Sequence, residues 1–478
     1  MTSTFFGLDL ALRALQSQQM GLDVTNHNVA NANTEGFSRQ NVNLVTTEPW
    51  AMPGMNRPAT AGQLGTGVVV SDVQRARDQF LDSQYRGELG SLKNAEARQD
   101  ALEQVEVVLD EPQGVGLNNL FNEYYRGWNE LASDPSDLPV RTTVVQQAIS
   151  MTDAFNRIAG QLATIRTGLN GEVTTDVTEI NDITDQILQL NTSIVQVEVT
   201  GQTANDFRDR RDLLVDRLSE LVQVTVNENT DGSMNVLMGA QVLVNGTTGK
   251  TDLFAVPNAG NSNYVDITYG SGGPAATIGT AEIAGKLTAR DTNIPSYQTQ
   301  LDTLATNLIT ATNSVITAGY DLNGNAGVPF FTGTSAATMK VNPAIVTDPK
   351  LIAASDSAGV PAGTPVPGNN EIILDIVGLR NSLVPPLAVG TPTTESAYNS
   401  LVAGLGIDSR AATNQADTQE ALVGLLDRRR QSLSGVSLDE EAVNLLRYQR
   451  AYEAAARVMT AYDEMLDRLI NSTGLVGR

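Results

Sequence analysis

The chain has 478 residues, with 31 basic and 54 acidic side chains, a formal net charge of −23 and no cysteine. That acidic excess argues against nucleic acid and anionic membranes as partners, because both demand a basic face that displaces counterions. Disulfides, thiol chemistry and cysteine-based metal sites are excluded outright.

The length allows two or three domains around a sizeable core. No apolar run reaches the ~18 residues of a bilayer span, so no membrane insertion is expected. The opening MTSTFFGLDLALRALQSQQ has no basic leader, carries Asp9 inside its apolar stretch and shows no small-residue cleavage site. A cleaved secretory signal is therefore not expected, which leaves either the cytosol or export by a route that reads an uncleaved N-terminus.

Leu8, Leu15, Leu22 and Val29 stand seven apart, with Leu12 between the first two, and predict an N-terminal helix with one apolar stripe. Gln19 and Asn26 interrupt the interleaved positions. The pattern stops at Asn31, and Asn33-Thr34-Glu35-Gly36 ends in the residue that tolerates positive φ. Phe37 to Val73 then reads as extended chain around a Pro/Gly/Met-rich loop.

Helical patterns dominate from Asp78 to Val226, with stops at Pro112 and Pro135. In NDFRDRRDLLVDRLSELV the residues Leu213, Leu214, Leu218, Leu221 and Val222 share one face, and the Asp and Arg residues read as a solvated opposite face. Beyond Val224 apolar residues alternate and are punctuated by Asp231-Gly232 and Asn245-Gly246, both strong hairpin signals. Strand-like sequence continues to Lys286. A helix follows near 297–318, marked by Leu301, Leu304, Leu308 and Ile309, and then loops and short strands run from Tyr320 to Pro392. Helices return near Glu395, and no internal repeat is evident.

The C-terminal segment carries the sharpest pattern. Leu445, Tyr448, Tyr452, Ala455, Met459, Tyr462, Leu466 and Leu469 follow alternating steps of three and four, predicting one continuous helix with a narrow seam. Ser437 and Glu440 form a capping box, Asp439, Glu440 and Glu441 complement the helix dipole, and Asn471, Ser472 and Gly474 end the helix. A narrow seam at each terminus suggests two helices that pair as an antiparallel coil and harden on assembly with further copies.

Four stretches carry a resemblance. Asn31, Thr34, Gly36 and Phe37, with Arg39 close behind, match the Asn-x-x-Thr-x-Gly-Phe signature and resemble the axial proteins of the bacterial flagellum, the rod, hook and hook-associated family. Ser434-Gly435-Val-Ser-Leu438-Asp439-Glu440-Glu441 is similar to the hook-associated branch that joins hook to filament, as are GYDLNGNAGVPFF from Gly319 and FRDRRDLLVDRLSELV from Phe207. The region from Thr332 to Tyr398 matches nothing familiar.

The resemblance implies an α+β multidomain fold. Its inner coiled coil would comprise 1–36 and 437–478, a mainly helical domain 37–223 and 395–436, and a β-rich outer region 224–394. It implies a structural, non-enzymatic junction subunit, secreted through the flagellar type III apparatus and forming a ring of copies. Hook protein would lie on one side and a second junction protein on the filament side, with an export chaperone shielding the C-terminal helix before export. In that scheme the asparagines end the inner helix, Gly36 turns the chain outward and Phe37 anchors it. A hook or rod subunit is the nearest alternative, though those have mostly β middle regions. A filament subunit would lack the Asn/Gly-Phe motif, and a flagellum-carried cell-wall hydrolase would need a carboxylate cleft.

Catalytic and metal chemistry finds little purchase. His27 is the only histidine, which removes Ser-His-Asp triads and polyhistidine sites. Asp321-Leu-Asn323-Gly-Asn325 is like the start of a calcium loop, but Ala326 and Thr332 occupy the Gly and Glu positions, so a turn is expected. GSGGPAATIG lacks the Lys and helix of a phosphate loop. Arg428, Arg429 and Arg430 are expected to be intersubunit salt-bridge donors. No cofactor is expected.

Overall fold

The computed structural model describes residues 5–49, 64–109, 116–380 and 393–471. The expected stop at Pro112, the tip of the Pro/Gly/Met-rich loop and the helix end at Ser472 and Gly474 lie outside those residues. The chain is an α+β, multidomain protein whose two termini are helical.

Helix α1 (Phe6–Ala30) leads into an antiparallel ribbon of β1 (Gln40–Thr46) and β2 (Val68–Arg75). Then come α2 (Gln79–Leu109), α3 (Leu117–Ser133), α4 (Leu138–Glu198) and α5 (Asn205–Leu221). Asp137 caps α4 through Val140 N, and Pro139 sits in its first turn, where a missing N–H costs nothing. At 61 residues α4 is about 90 Å long.

Strands β3 (Thr225–Glu228), β4 (Met234–Met238), β5 (Gln241–Asn245) and β6 (Gly249–Lys250) form a four-stranded antiparallel meander. Its turns carry Gly232 and Gly246, both at positive φ, where the sequence placed hairpins. A second ribbon pairs β7 (Leu253–Pro257) with β8 (Val265–Tyr269). The helices α6 (Glu282–Thr288) and α7 (Ile294–Ile316) follow, then the two-residue strands β9 (Phe331–Thr332) and β10 (Lys340–Val341), α8 (Pro343–Thr347) and α9 (Glu371–Gly378). Two long helices, α10 (Thr394–Ser434) and α11 (Leu438–Asn471), complete the chain.

Two cores share α4. The first half of α4 packs with α3, α7, α9 and the start of α10 around Phe121, Trp128, Phe155, Phe330, Phe331 and Tyr398. The second half packs with α5 and the sheets around Val177, Ile180, Val215, Leu218, Val236, Leu243 and Ile267. The stretch 224–394 is thus divided, since its strands to Tyr269 belong to the second core whereas α7 and the chain around Phe330 and Ile373 belong to the first.

One local device recurs. Asn28, Asn181, Asn191 and Asn313 sit on helices, and each turns its amide onto the first residue of a strand: Gln40, Leu253, Met234 and Phe331 respectively. In each case Nδ2 donates to that residue's carbonyl at 2.8–2.9 Å and Oδ1 accepts its N–H at 2.9–3.1 Å. The amide thereby imitates a peptide unit, satisfying backbone groups that a helix cannot otherwise pair. Asn191 is fully buried and also holds Gly246 O and Arg211. An Asn191→Ala variant is expected to lose about 1–3 kcal/mol per orphaned group. A urea midpoint within error of the wild type would refute this role.

Candidate functional site: the terminal helix pair and its ionic base

Helices α1 and α11 lie against each other in antiparallel register. Gly7 meets the Tyr462 ring, Gly21 meets the Tyr448 ring, and Asn28 Nδ2 donates to Glu441 Oε2 at 3.2 Å. The residue numbers of each pair add to 469. The β1–β2 ribbon runs along another side of α1, where Arg13 reaches Thr66 O and Ser17 reaches Val68 O.

The expected interface residues are placed unevenly. Leu8, Leu15 and Leu22 are half-buried, whereas Leu12 and Val29 are 45% and 41% exposed. The buried positions of α1 are Gly7, Ala11, Ser17, Gly21, Thr25 and Asn28, none of which a search for large apolar residues would select. Glycine is required at positions 7 and 21 because the rings of Tyr462 and Tyr448 approach the α1 backbone there. On α11, Leu445, Tyr448, Ala455, Met459, Tyr462 and Leu466 are half-buried, while Tyr452 and Leu469 are exposed. A further set missed by the sequence reading, Val443, Leu446, Val458 and Met465, is also exposed, at 46–65%. With Ala454, Ala461 and Leu469 it makes a second seam on α11 that α1 does not cover.

The signature loop closes the end of α1. Asn31 donates through Nδ2 to His27 O and accepts from the Thr34 hydroxyl, and Gly36 turns the chain at φ 76° beside Leu213. Phe37 meets the His27 ring edge-on at 5.4 Å, and His27 Nε2 lies 3.2 Å from Asp206. Arg39 N donates to Ser434 O, just before Gly435 caps α10. The Arg39 guanidinium pairs with Glu440 at 2.6 Å and with Glu441 at 2.9 Å. Glu440 N reaches Ser437 Oγ at 3.5 Å, Leu438 and Asp439 face solvent, and Glu441 is the one fully buried residue of α11 among those described.

Beneath this loop lies a buried ionic rack that overturns one expectation. Asp209, Asp212 and Asp216 of α5, read as part of a solvated face, are buried. They are spaced to form a stripe that arginines from other segments meet. Arg75 bonds Asp209 and Asp212 at 2.8 Å each, Arg77 bonds Asp82 at 2.6 Å and Asp212 at 3.3 Å, and Arg86 bonds Asp216 at 2.6 Å. Asp209 also accepts Ser38 N, tying the rack to the signature loop. Burial opposes charge on Asp212, yet Arg77, Arg75 and Arg86 outweigh it and bring its carboxyl down to about 2. Burial wins at Asp209, whose carboxyl stays above its ordinary value despite Arg75.

Arg430 corrects a second expectation. It bonds Asp216 at 2.6 Å within the same chain and covers the Tyr85 ring, 4.1 Å from its centroid. Arg428 and Arg429 are exposed. Asp321 accepts the N–H groups of Asn323 and Asn325 at 2.8 Å each and so builds a turn. Among the described residues no group of three or more His, Cys, Asp or Glu could hold a metal, and no helix is long and apolar enough to cross a membrane.

Comparisons with known proteins bear on both the ends and the middle. A family described as the flagellar hook-associated protein FlgK helical domain matches residues 102–331. Residues 8–37 match the flagella basal body rod protein family, and residues 430–472 match the flagellar basal body rod FlgEFG protein C-terminal family. Flagellar hook-associated protein 1 of Bacillus subtilis is 33% identical over 510 aligned residues, covering 100% of each chain. The protein of that name from Salmonella typhimurium is 25% identical and covers 96% of this chain and 98% of its own. In fold, the flagellar hook junction protein FlgK from Burkholderia pseudomallei superposes with a TM-score of 0.62 at 18% identity, over 74% of this chain and 100% of that one. End to end, with its helical middle and both terminal helices accounted for, this chain belongs to the flagellar hook-associated protein 1 family.

Proposed function

We propose that the chain is a structural subunit of the junction between hook and filament and assembles into a ring through its terminal helices. The observation that carries this reading is the second α11 seam. Val443, Leu446, Val458, Met465 and Leu469 expose an apolar stripe on a helix whose other seam already holds α1. A helix with two seams is fully buried only between neighbours, and identical copies arranged around an axis supply them.

Hook protein on one side and a second junction protein on the filament side complete the contacts. The chain is secreted through the flagellar type III apparatus without N-terminal cleavage, and a chaperone holds the C-terminal helix before export. These partners rest on family membership. Its work is mechanical adaptation between two helical lattices and involves no catalysis.

A chain lacking residues 1–36 and 443–478 keeps both cores and is expected to be a soluble, folded monomer that never enters the junction. A strain without the protein is expected to bear hooks without filaments and to shed filament protein into the medium. Incorporation of the truncated chain, seen by electron microscopy of isolated hooks, would overturn the reading.

A further inference from the structure

We infer that Gly7, Gly21 and Asn28 of α1, with Tyr462, Tyr448 and Glu441 of α11, form a self-recognition key: they select this chain's own terminal helix, in one register, over other helices with the same leucine heptads. The inference deepens the proposed function and rests on it only for its biological meaning.

A leucine stripe at seven-residue spacing is common to many helices and discriminates neither partner nor register well. Both terminal helices here also match families of rod proteins, so closely related ends belong to different axial proteins. The contacts between α1 and α11 supply what the leucines lack. Opposite Glu441, Tyr448, Ala455 and Tyr462 the observed register sets Asn28, Gly21, Ala14 and Gly7. Each large ring has a glycine, the small residue faces a small residue, and the buried carboxylate has an amide and the Arg39 guanidinium.

Both neighbouring registers fail on the same criteria. A slip of one heptad in one direction sets Tyr448 on Ala14 and Glu441 on Gly21. A slip in the other sets Tyr448 on Asn28 and Tyr462 on Ala14. A Cβ built on Gly21 falls 2.6 Å from Tyr448 Cδ1, so even a methyl group at a tyrosine site forces a rearrangement. Each slip also carries Glu441 away from Asn28 and Arg39 and leaves a buried charge unmatched, while Asn28 keeps its bonds to Gln40. Attraction through the leucines is thus combined with rejection of alternatives.

The absence of native cysteine makes the test direct. Full-length chains carrying Ala14→Cys with Ala455→Cys report the native register, and Ala14→Cys with Tyr448→Cys or with Tyr462→Cys, on the same seam, report the two slips. On mild oxidation the native pair is expected to form an intrachain disulfide at least tenfold faster than either slipped pair. Adding Gly21→Leu should reduce that rate at least fivefold, and combining it with Tyr448→Ala should restore the rate to within twofold. Partner choice is read with a chain that lacks residues 1–36, so that the α11 seam is open, and bears only Ala455→Cys, together with a synthetic peptide of residues 5–36 bearing Ala14→Cys. The peptide should couple at least tenfold more than one that also carries Gly7→Leu and Gly21→Leu. Equal rates for native and slipped pairs, no rescue by Tyr448→Ala, or equal coupling of the two peptides would each overturn the key. None of these readouts depends on incorporation at the junction, so the key and the proposed function fail separately.

Discussion

Replacing Asp212 with alanine destabilises the protein by about 3–5 kcal/mol, the range for removing one member of a buried charge network. Three arginines, Arg75, Arg77 and Arg86, share this carboxylate, and no other acid in the rack touches all three. The loss is read from the shift in urea midpoint at pH 7, and a shift corresponding to less than about 1 kcal/mol would refute it. Asp212 also carries a pH signature. Its carboxyl is held down to about 2, below the unfolded value of about 3.9, so its contribution is complete above about pH 4 and is lost as pH falls towards 2. The shift corresponds to about 2–3 kcal/mol. Asp209, held above its ordinary value, acts in the opposite sense and gains on protonation. The wild type therefore loses stability from pH 4 to 2 more steeply than Asp212→Ala, and parallel curves would contradict the assignment.

Trp128→Ala produces a loss of similar size in the first core, about 3–5 kcal/mol and about 6–10 °C in Tm by calorimetry. Trp128 is fully buried, with Phe330 at 5.3 Å and Tyr124 at 6.0 Å between ring centroids. Phe330 comes from the chain beyond α7, so the indole joins two distant segments that no continuous backbone element connects. Its removal leaves a cavity where three elements meet. A drop under 2 °C would mean that the site collapses around the missing ring.

The parts of this fold that depend on local rules were legible in the sequence. Heptad spacing defined α11, glycines at 232 and 246 marked their turns, and Asn31 with Gly36 marked the end of α1. Features that depend on what another segment supplies were not. The seam of α1 turns on Gly7, Gly21 and Asn28, which acquire meaning only opposite Tyr462, Tyr448 and Glu441. The aspartates of α5 have the composition of a solvated face until Arg75, Arg77, Arg86 and Arg430 arrive from elsewhere, and Arg430 could not be told from an intersubunit donor. Following a single stripe also hid the second seam of α11. The signal was present at Val443, Leu446, Val458 and Met465, offset around the same helix.

The unbroken run of α4 through both cores has a mechanical consequence. Neither lobe can swivel about the other without bending that shaft, so a twist applied to the sheet-bearing end is carried to the aromatic end with little slack. The handover along this shaft falls between Leu169 of one core and Val173 of the other. Gly168 and Gly171 fall there, each weakening the helix by about 1 kcal/mol relative to alanine, with no neighbouring side chain pressed against them. The turn around Gly168 and Gly171 is thus where this continuous helix resists bending least.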